Sequence, residues 1–378
     1  DLLASYAPKA RFGAGSNAYF TDINRQHPEM RAADFLTYSL NPQVHAFDNT
    51  SLIETVAAQS VTVESARQIA DGKGVVVSPV TLLPRFNPNA TGPDPEPGPD
   101  ELPAQVDVRQ MSLFGAAWTM GSLKYLLSSE IDAVTYFETS GWRGLMETEE
   151  GSPVPSLFHS TPGMLFPLYH LLADIGDYVN GEIVPVNTAD PLRVDGLALR
   201  RDDDQTLLLA NGTSRTQQVQ IAGMDSLARI RHLDESTFDA AVNKPDAFRN
   251  HTETLASSDG ELICELAPYA VVRIDTNVRF QALLDEPLNL SWHLATNFCR
   301  NSHPQHRTRI LLNQFGEQGL AFNGSINELL QRLRSGVRRG LPIGVIEANQ
   351  RMGQPLGLGA LVGGCESGTG PRQGEDQY

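Results

Sequence analysis

The chain has 378 residues, of which 40% are hydrophobic and 20% charged, and a formal net charge of −16. That size allows about two domains and a sizeable core, and that composition excludes wholesale disorder. The acidic balance repels phosphate backbones and anionic lipid, so neither nucleic acid nor a membrane surface is expected as a partner, and no apolar run reaches the roughly 18 residues of a membrane span.

The chain opens on Asp1 inside a segment that reads as a helix, which suggests a truncated start. Four apolar, β-rich runs follow, at residues 10–20, 33–47, 72–86 and 131–142, each ending in polar or small residues. Helical stretches at 51–71 and 112–130 lie between them, so parallel β-α units are predicted. Residues 87–103 are rich in Pro and acid and read as a long exposed loop. A closing helix is predicted at 167–178. Beyond about 180 the pattern becomes apolar-polar alternation between Gly, Asn and Asp turns, as half-buried antiparallel strands show, ending near Asp275. The expected architecture is the C-terminal half of a (β/α)8 TIM-like barrel over 1–180 and an antiparallel β-sandwich over 181–275. Residues 276–378 hold ten Arg, no Lys and eight acids, are left without an assigned domain, and read as disordered or non-native apart from one helix at 325–336. Cys264, Cys299 and Cys365 have neither disulfide-framework nor metal-ligand spacing, which fits a reducing, cytoplasmic setting. No cofactor or metal is expected.

In β-α barrels the reactive groups lie at the C-terminal ends of strands. That rule selects Asn17, Tyr19, Asp22 and Asn24 after the first strand, and Asn41, Gln43, His45 and Asp48 after the second. It selects Arg85 and Asn87 after the third, and Glu138, Trp142 and Arg143 after the fourth. Amides and carboxylates exchange hydrogen bonds with hydroxyls, and an aromatic face covers a sugar ring, so the set suits a polyol pocket. Glu138 is the sharpest candidate for acid-base work, because it directly follows an apolar strand where a carboxylate is costly. Its plain structural reading is a pair with Arg143. His45 can carry a proton near neutrality, or simply anchor its loop. Asp22 and Asp48 equally suit helix or turn caps, and Trp142 a packed rim. The ETEE run at 147–150 reads as a solvated face, and GAGS at 13–16 lacks the glycine spacing and following helix of a dinucleotide site.

At these motifs the sequence resembles the D-apionate lactonase family. The stretches carrying the resemblance are GSNAYFTDINR (15–25), SLNPQVHAFDNTSLIETVAAQ (39–59), VVVSPVTLLPRFN (75–87), SLFGAAWTMGSLKYL (112–126), VTYFETSGWRGLM (134–146) and APYAVVRID (267–275). The resemblance implies a glycosidase-like barrel with a C-terminal β-sandwich, and hydrolysis of D-apionolactone to D-apionate in apiose breakdown. It implies that the visible strands are the fifth to eighth, so that the first half of the barrel lies outside this chain and the chain alone is unstable or inactive. The third visible strand carries no acid at its tip, which disfavours a retaining glycosidase, a reaction that needs two carboxylates about 5–5.5 Å apart. Glu138 and His45 are then the proton-handling pair. Asn17, Tyr19, Asp22, Asn41, Gln43, Trp142 and Arg143 are the substrate contacts. A glycoside hydrolase on the same fold and an inactive carbohydrate-binding fragment remain as alternatives.

Overall fold

The computed structural model describes residues 10–276, apart from scattered positions within 86–95, 225–226 and 259, together with the backbone of 309–313 and 319–321. Four strands, β1 (Gly13–Tyr19), β2 (Phe35–Leu40), β3 (Gly74–Val80) and β4 (Ala133–Glu138), pair in parallel in sequence order. Every residue of β4 is buried, as is all of β2 except Ser39. This is why these strands read as continuous apolar runs rather than alternating ones: layers cover both faces of a parallel sheet. The GAGS glycines serve that pairing. A Cβ on Gly15 would lie 1.8 Å from the Thr37 carbonyl oxygen, and one on Gly13 would lie 2.4 Å from the Phe35 ring. A helix does follow, contrary to expectation: α1 (Phe20–Gln26) starts where β1 ends, but the glycines lie inside the strand.

The helix predicted at 51–71 is two helices, α2 (Asn49–Glu54) and α3 (Ala58–Ile69). Asp48 caps the first, its carboxylate accepting from the Ser51 amide at 3.0 Å. Thr55 ends it, turning its hydroxyl back onto the Ser51 and Leu52 carbonyls, the local bonding by which such residues compete with a continuing helix. A 3-10 turn (Val108–Met111) leads into α4 (Leu113–Leu127), which Ser112 caps through the Gly115 amide. α4 is buried on nearly every side because it lies between the parallel sheet and the sandwich. α5 (Pro167–Gly176) starts on a proline and is wholly buried, packed chiefly against α4.

The second part is all-β in its sheets. β5 (Glu182–Val184), β6 (Val194–Arg201), β7 (Asp204–Asn211), β9 (Leu227–Leu233), β10 (Glu253–Ala256) and β12 (Val271–Thr276) form one sheet, in the order β10-β9-β12-β7-β6-β5. β8 (Gln217–Ala222) and β11 (Glu261–Leu266) form the other. The two faces of the larger sheet follow the two-residue period of a strand. Leu197, Leu199, Leu208, Ala210 and Val271 join the barrel core, while Ala198, Leu207, Leu209, Val272 and Ile274 join the core between the two sheets. One face of the sandwich is therefore the wall of the barrel domain. Two short helices, α6 (Phe238–Asn243) and α7 (Pro245–Asn250), interrupt the strands and were not evident from the alternating pattern. Cys264 sits in the inter-sheet core, and burial pushes its thiol up to about 11.

The tail contributes two short strands. β13 (Arg309–Asn313) runs parallel to β4, and β14 (Gly319–Ala321) pairs antiparallel with β13. The helix predicted at 325–336, Cys299 and Cys365 lie outside the described residues. The ETEE run is not uniformly solvated: Glu147 is 1% exposed and accepts from the Thr148 amide at 2.8 Å and from the Ser160 hydroxyl. Only Glu149 and Glu150 of that run face water.

A buried ionic lattice joins the two parts. Asp174 on α5 meets Arg231 of β9, Arg249 of α7 at 2.8 Å and Arg273 of β12 at 2.9 Å. Asp177 pairs with Arg249 and Arg273, and Asp275 with Arg273. Burial alone would raise the Asp174 carboxyl; Arg231, Arg273 and Arg249 outweigh it and hold that group well below the usual carboxylate range. His170, one turn earlier on α5, bonds the Ala241 carbonyl at 2.9 Å through Nε2 and lies against Phe248.

Burial pushes His170 down to about 4; the Ala241 carbonyl and Asp174 oppose that shift, and Arg231 and Arg249 add to it. Because the folded value lies below the unfolded one of about 6.5, the neutral ring stabilises the fold fully above about pH 6.5. That contribution, on the order of 3 kcal/mol, is lost as pH falls toward 4. Melting temperature should therefore decline across this window. His170→Gln keeps a donor for Ala241 without titrating, and should flatten the decline. An unchanged decline in thermal melts would place the acid sensitivity elsewhere.

Candidate active site

The sheet delivers its chemistry at the C-terminal tips of β2, β3 and β4. Glu138 is the last residue of β4 and is 1% exposed. The residue before it, Phe137, has φ of +51°, a conformation unusual for a bulky side chain. The ladder to β3 shifts register between Val77 and Val80, so the strand is locally irregular as it approaches its tip. The loop then folds back on itself. The Glu138 amide donates to the Arg143 carbonyl at 2.9 Å, and the Leu145 amide to the Thr139 carbonyl at 3.1 Å. Gly144 makes the return possible, since a Cβ there would sit 2.7 Å from the Ser140 backbone. This loop places the Arg143 side chain back over Glu138.

One oxygen of Glu138 takes both positive neighbours. Oε1 lies 2.9 Å from Arg143 Nη2 and 3.3 Å from Arg85 Nη1, while Oε2 is buried and has no hydrogen-bond partner. Two guanidiniums make a buried carboxylate tolerable that would otherwise cost several kcal/mol. Burial pulls the Arg85 guanidinium below its ordinary value, Glu138 opposes that, and Arg143 adds to it. Further unpartnered buried polar atoms belong to the same strands or their tips: Asn41 Oδ1, Thr135 Oγ1, Thr139 Oγ1, and Nε and Nη2 of Arg85. Buried polar groups are rarely left unpaired, so Glu138 Oε2 and the free Nε and Nη2 of Arg85, held against one another by the Arg85 ion pair, can take hydrogen-bond partners from outside the chain.

The structure brings Glu138 and Arg143 together, with Asn41 at the tip of the strand two places along the sheet. Arg85, visible in sequence only as a strand-end residue, completes the cluster. Its partner lies 53 residues on, and only the pairing of β3 with β4 connects them. Gln43 is buried but occupied: it donates to the Leu82 carbonyl and Asp107 and accepts from Arg109. Asp22 accepts from Gln26 Nε2 within α1 at 2.6 Å. Trp142 is half-buried, donates to the Ser152 hydroxyl at 3.0 Å and packs beside Phe158. His45 is exposed in the loop after β2 and makes no hydrogen bond or ion pair with Glu138. Asn17 is exposed on β1, and Tyr19 is half-buried at the start of α1.

Two family models match. One, described as D-apionate lactonase, TIM barrel domain, covers residues 1–179, and the other, D-apionate lactonase, C-terminal immunoglobulin-like domain, covers 191–274. A curated D-apionate lactonase from Brucella anthropi is 27% identical over 216 residues, which are 57% of this chain and 34% of that protein. The chain spans about a third of the length of that relative. Among solved structures, a GH51 α-L-arabinofuranosidase from Thermotoga petrophila is 13% identical with a TM-score of 0.44, over 73% of this chain and 59% of its own. CelM2, a glucanase-xylanase from a metagenome library, is 12% identical with a TM-score of 0.41, over 68% and 45%. With both domain models matched in order along a parallel β-α sheet and an antiparallel sandwich, this chain belongs to the D-apionate lactonase family.

Proposed function

We propose that the intact protein is a sugar lactonase that hydrolyses D-apionolactone to D-apionate, as a cytoplasmic step of apiose breakdown. The observation that carries this reading is the single buried carboxylate at the tip of β4, clamped on one oxygen and free on the other. Lactone opening asks for one base toward water and donors for the oxyanion.

In this reading Glu138 Oε2 accepts a proton from water as the water oxygen adds to the lactone carbonyl carbon. Arg143 holds Glu138 Oε1, so that Oε2 is the oxygen left to face the water. When the ring C–O bond breaks, the proton held by Glu138 passes to the departing ring oxygen, leaving a hydroxyl and a carboxylic acid that ionises. Asn41 Oδ1 offers an acceptor to a sugar hydroxyl. Asn17, Tyr19 and His45 lie on the tips of β1 and β2, where a polyol would extend.

A retaining glycosidase would need a second acid within about 5–5.5 Å, and the tip of β3 carries Arg85 instead. Proton release on D-apionolactone, run beside cleavage of an aryl β-D-apioside, separates the two reactions. Lactone opening with the glycoside intact supports the proposal. Glycoside cleavage without lactone opening would replace it with a glycoside hydrolase.

A further inference from the structure

We infer that Arg85 is the residue that grips the lactone carbonyl oxygen and, after ring opening, the carboxylate of the product; the inference rests on the lactonase reading. Arg85 reaches Glu138 with Nη1 alone. Its Nε and Nη2 are buried and have no partner. Those two N–H groups share one edge of the planar guanidinium, the edge that takes both oxygens of a carboxylate side by side.

A role limited to neutralising Glu138 does not account for this arrangement. A neutralising arginine gains most by forking onto both carboxylate oxygens, and Glu138 Oε2 is unoccupied. Arg143 already meets the same Oε1 at the shorter distance of 2.9 Å. The cluster instead holds two arginines on one oxygen, an empty acceptor on the other, and an empty two-donor edge on Arg85. Leaving a desolvated cationic donor edge unpaired is costly, and an incoming anion relieves that cost.

The arrangement fits the reaction's changing charge. As the water oxygen bonds to the carbonyl carbon, the C=O π electrons move to the carbonyl oxygen, which the Arg85 edge receives. When the tetrahedral adduct collapses and the ring C–O bond breaks, the charge spreads over two oxygens in one plane. That is the shape the Nε/Nη2 edge matches best. Arg85 would thus bind the sugar acid more tightly than a neutral sugar of the same skeleton, and the product should inhibit.

Calorimetric titration of D-apionate, with apiose as the carboxylate-free control, tests this on the intact protein and on Arg85→Lys and Arg85→Gln. Lysine keeps the charge without the planar edge, so it carries the test if the glutamine variant fails to fold. The expected result is a roughly 10- to 100-fold loss of apionate affinity in both variants, with apiose binding unchanged. It should come with a fall in kcat of about 10²-fold or more. Apionate affinity within twofold of wild type in folded variants would overturn the role of Arg85 while leaving the lactonase reading intact. Arg85-dependent apionate binding by a protein that opens no lactone would overturn the lactonase reading and retain the carboxylate site.

Discussion

Glu138→Gln in the intact protein is expected to lower kcat for D-apionolactone by about 10²- to 10⁴-fold, with a much smaller change in KM. Glutamine preserves the shape at the tip of β4 and can still accept from Arg143, so the loop from Glu138 to Leu145 should hold. What disappears is the base: with the amide oxygen turned toward Arg143, an NH2 group stands in place of Oε2 and cannot take a proton from water. The variant also leaves the Arg85 and Arg143 guanidiniums facing each other without a compensating anion, so a modest fall in melting temperature should accompany the loss. Steady-state kinetics on folded protein decide the matter. Undiminished turnover would remove Glu138 from the mechanism and leave it a structural anchor for two arginines.

The largest expected effect on stability is at Asp174. Asp174→Asn removes the negative centre that Arg231, Arg249 and Arg273 share across the two domains. Removing one partner from a buried ionic cluster leaves uncompensated charge, which typically costs about 3–5 kcal/mol. Asp177 and Asp275 still meet Arg249 and Arg273, but Arg231 has no other carboxylate among its described ion pairs. The pH dependence has a definite sign. The folded carboxyl is depressed below its unfolded value of about 3.9, so its stabilisation is complete above that value and is lost as pH falls below it. Urea unfolding at neutral pH should show the loss; a change under about 1 kcal/mol would mean that the lattice contributes register rather than stability.

The alternation of apolar strands with helices was enough to place β1 to β4, because strands buried on both faces read as unbroken apolar runs, but it did not place β13, which also pairs in parallel with β4. The two-residue alternation likewise announced the sandwich. It did not reveal that one of its faces joins the barrel core, since Leu208 and Leu209 are equally apolar and differ only in which layer they meet. The break between α2 and α3 depends on where the Thr55 hydroxyl turns, a detail that an apolar period does not record. In the site, Glu138 and Arg143 stood out because they are five residues apart at one strand end. Arg85 did not, because its role depends on pairing between strands far apart in the chain. Gln43 looked like a sugar contact by type and place. The groups that occupy it, Asp107 and Arg109, come from the segment that leads into α4. The lattice around Asp174 joins residues up to 99 apart, beyond the reach of any local pattern.

In the proposed mechanism Glu138 activates water for direct attack on the lactone carbonyl. Single-turnover hydrolysis of D-apionolactone in ¹⁸O-water, followed by mass spectrometry of the sugar acid and of the peptide bearing Glu138, tests it most directly. Direct attack by water places one ¹⁸O in the carboxylate of D-apionate, none in the hydroxyl that comes from the ring oxygen, and none in Glu138. Label in the Glu138 carboxylate, label in that hydroxyl, or no apionate at all would contradict it.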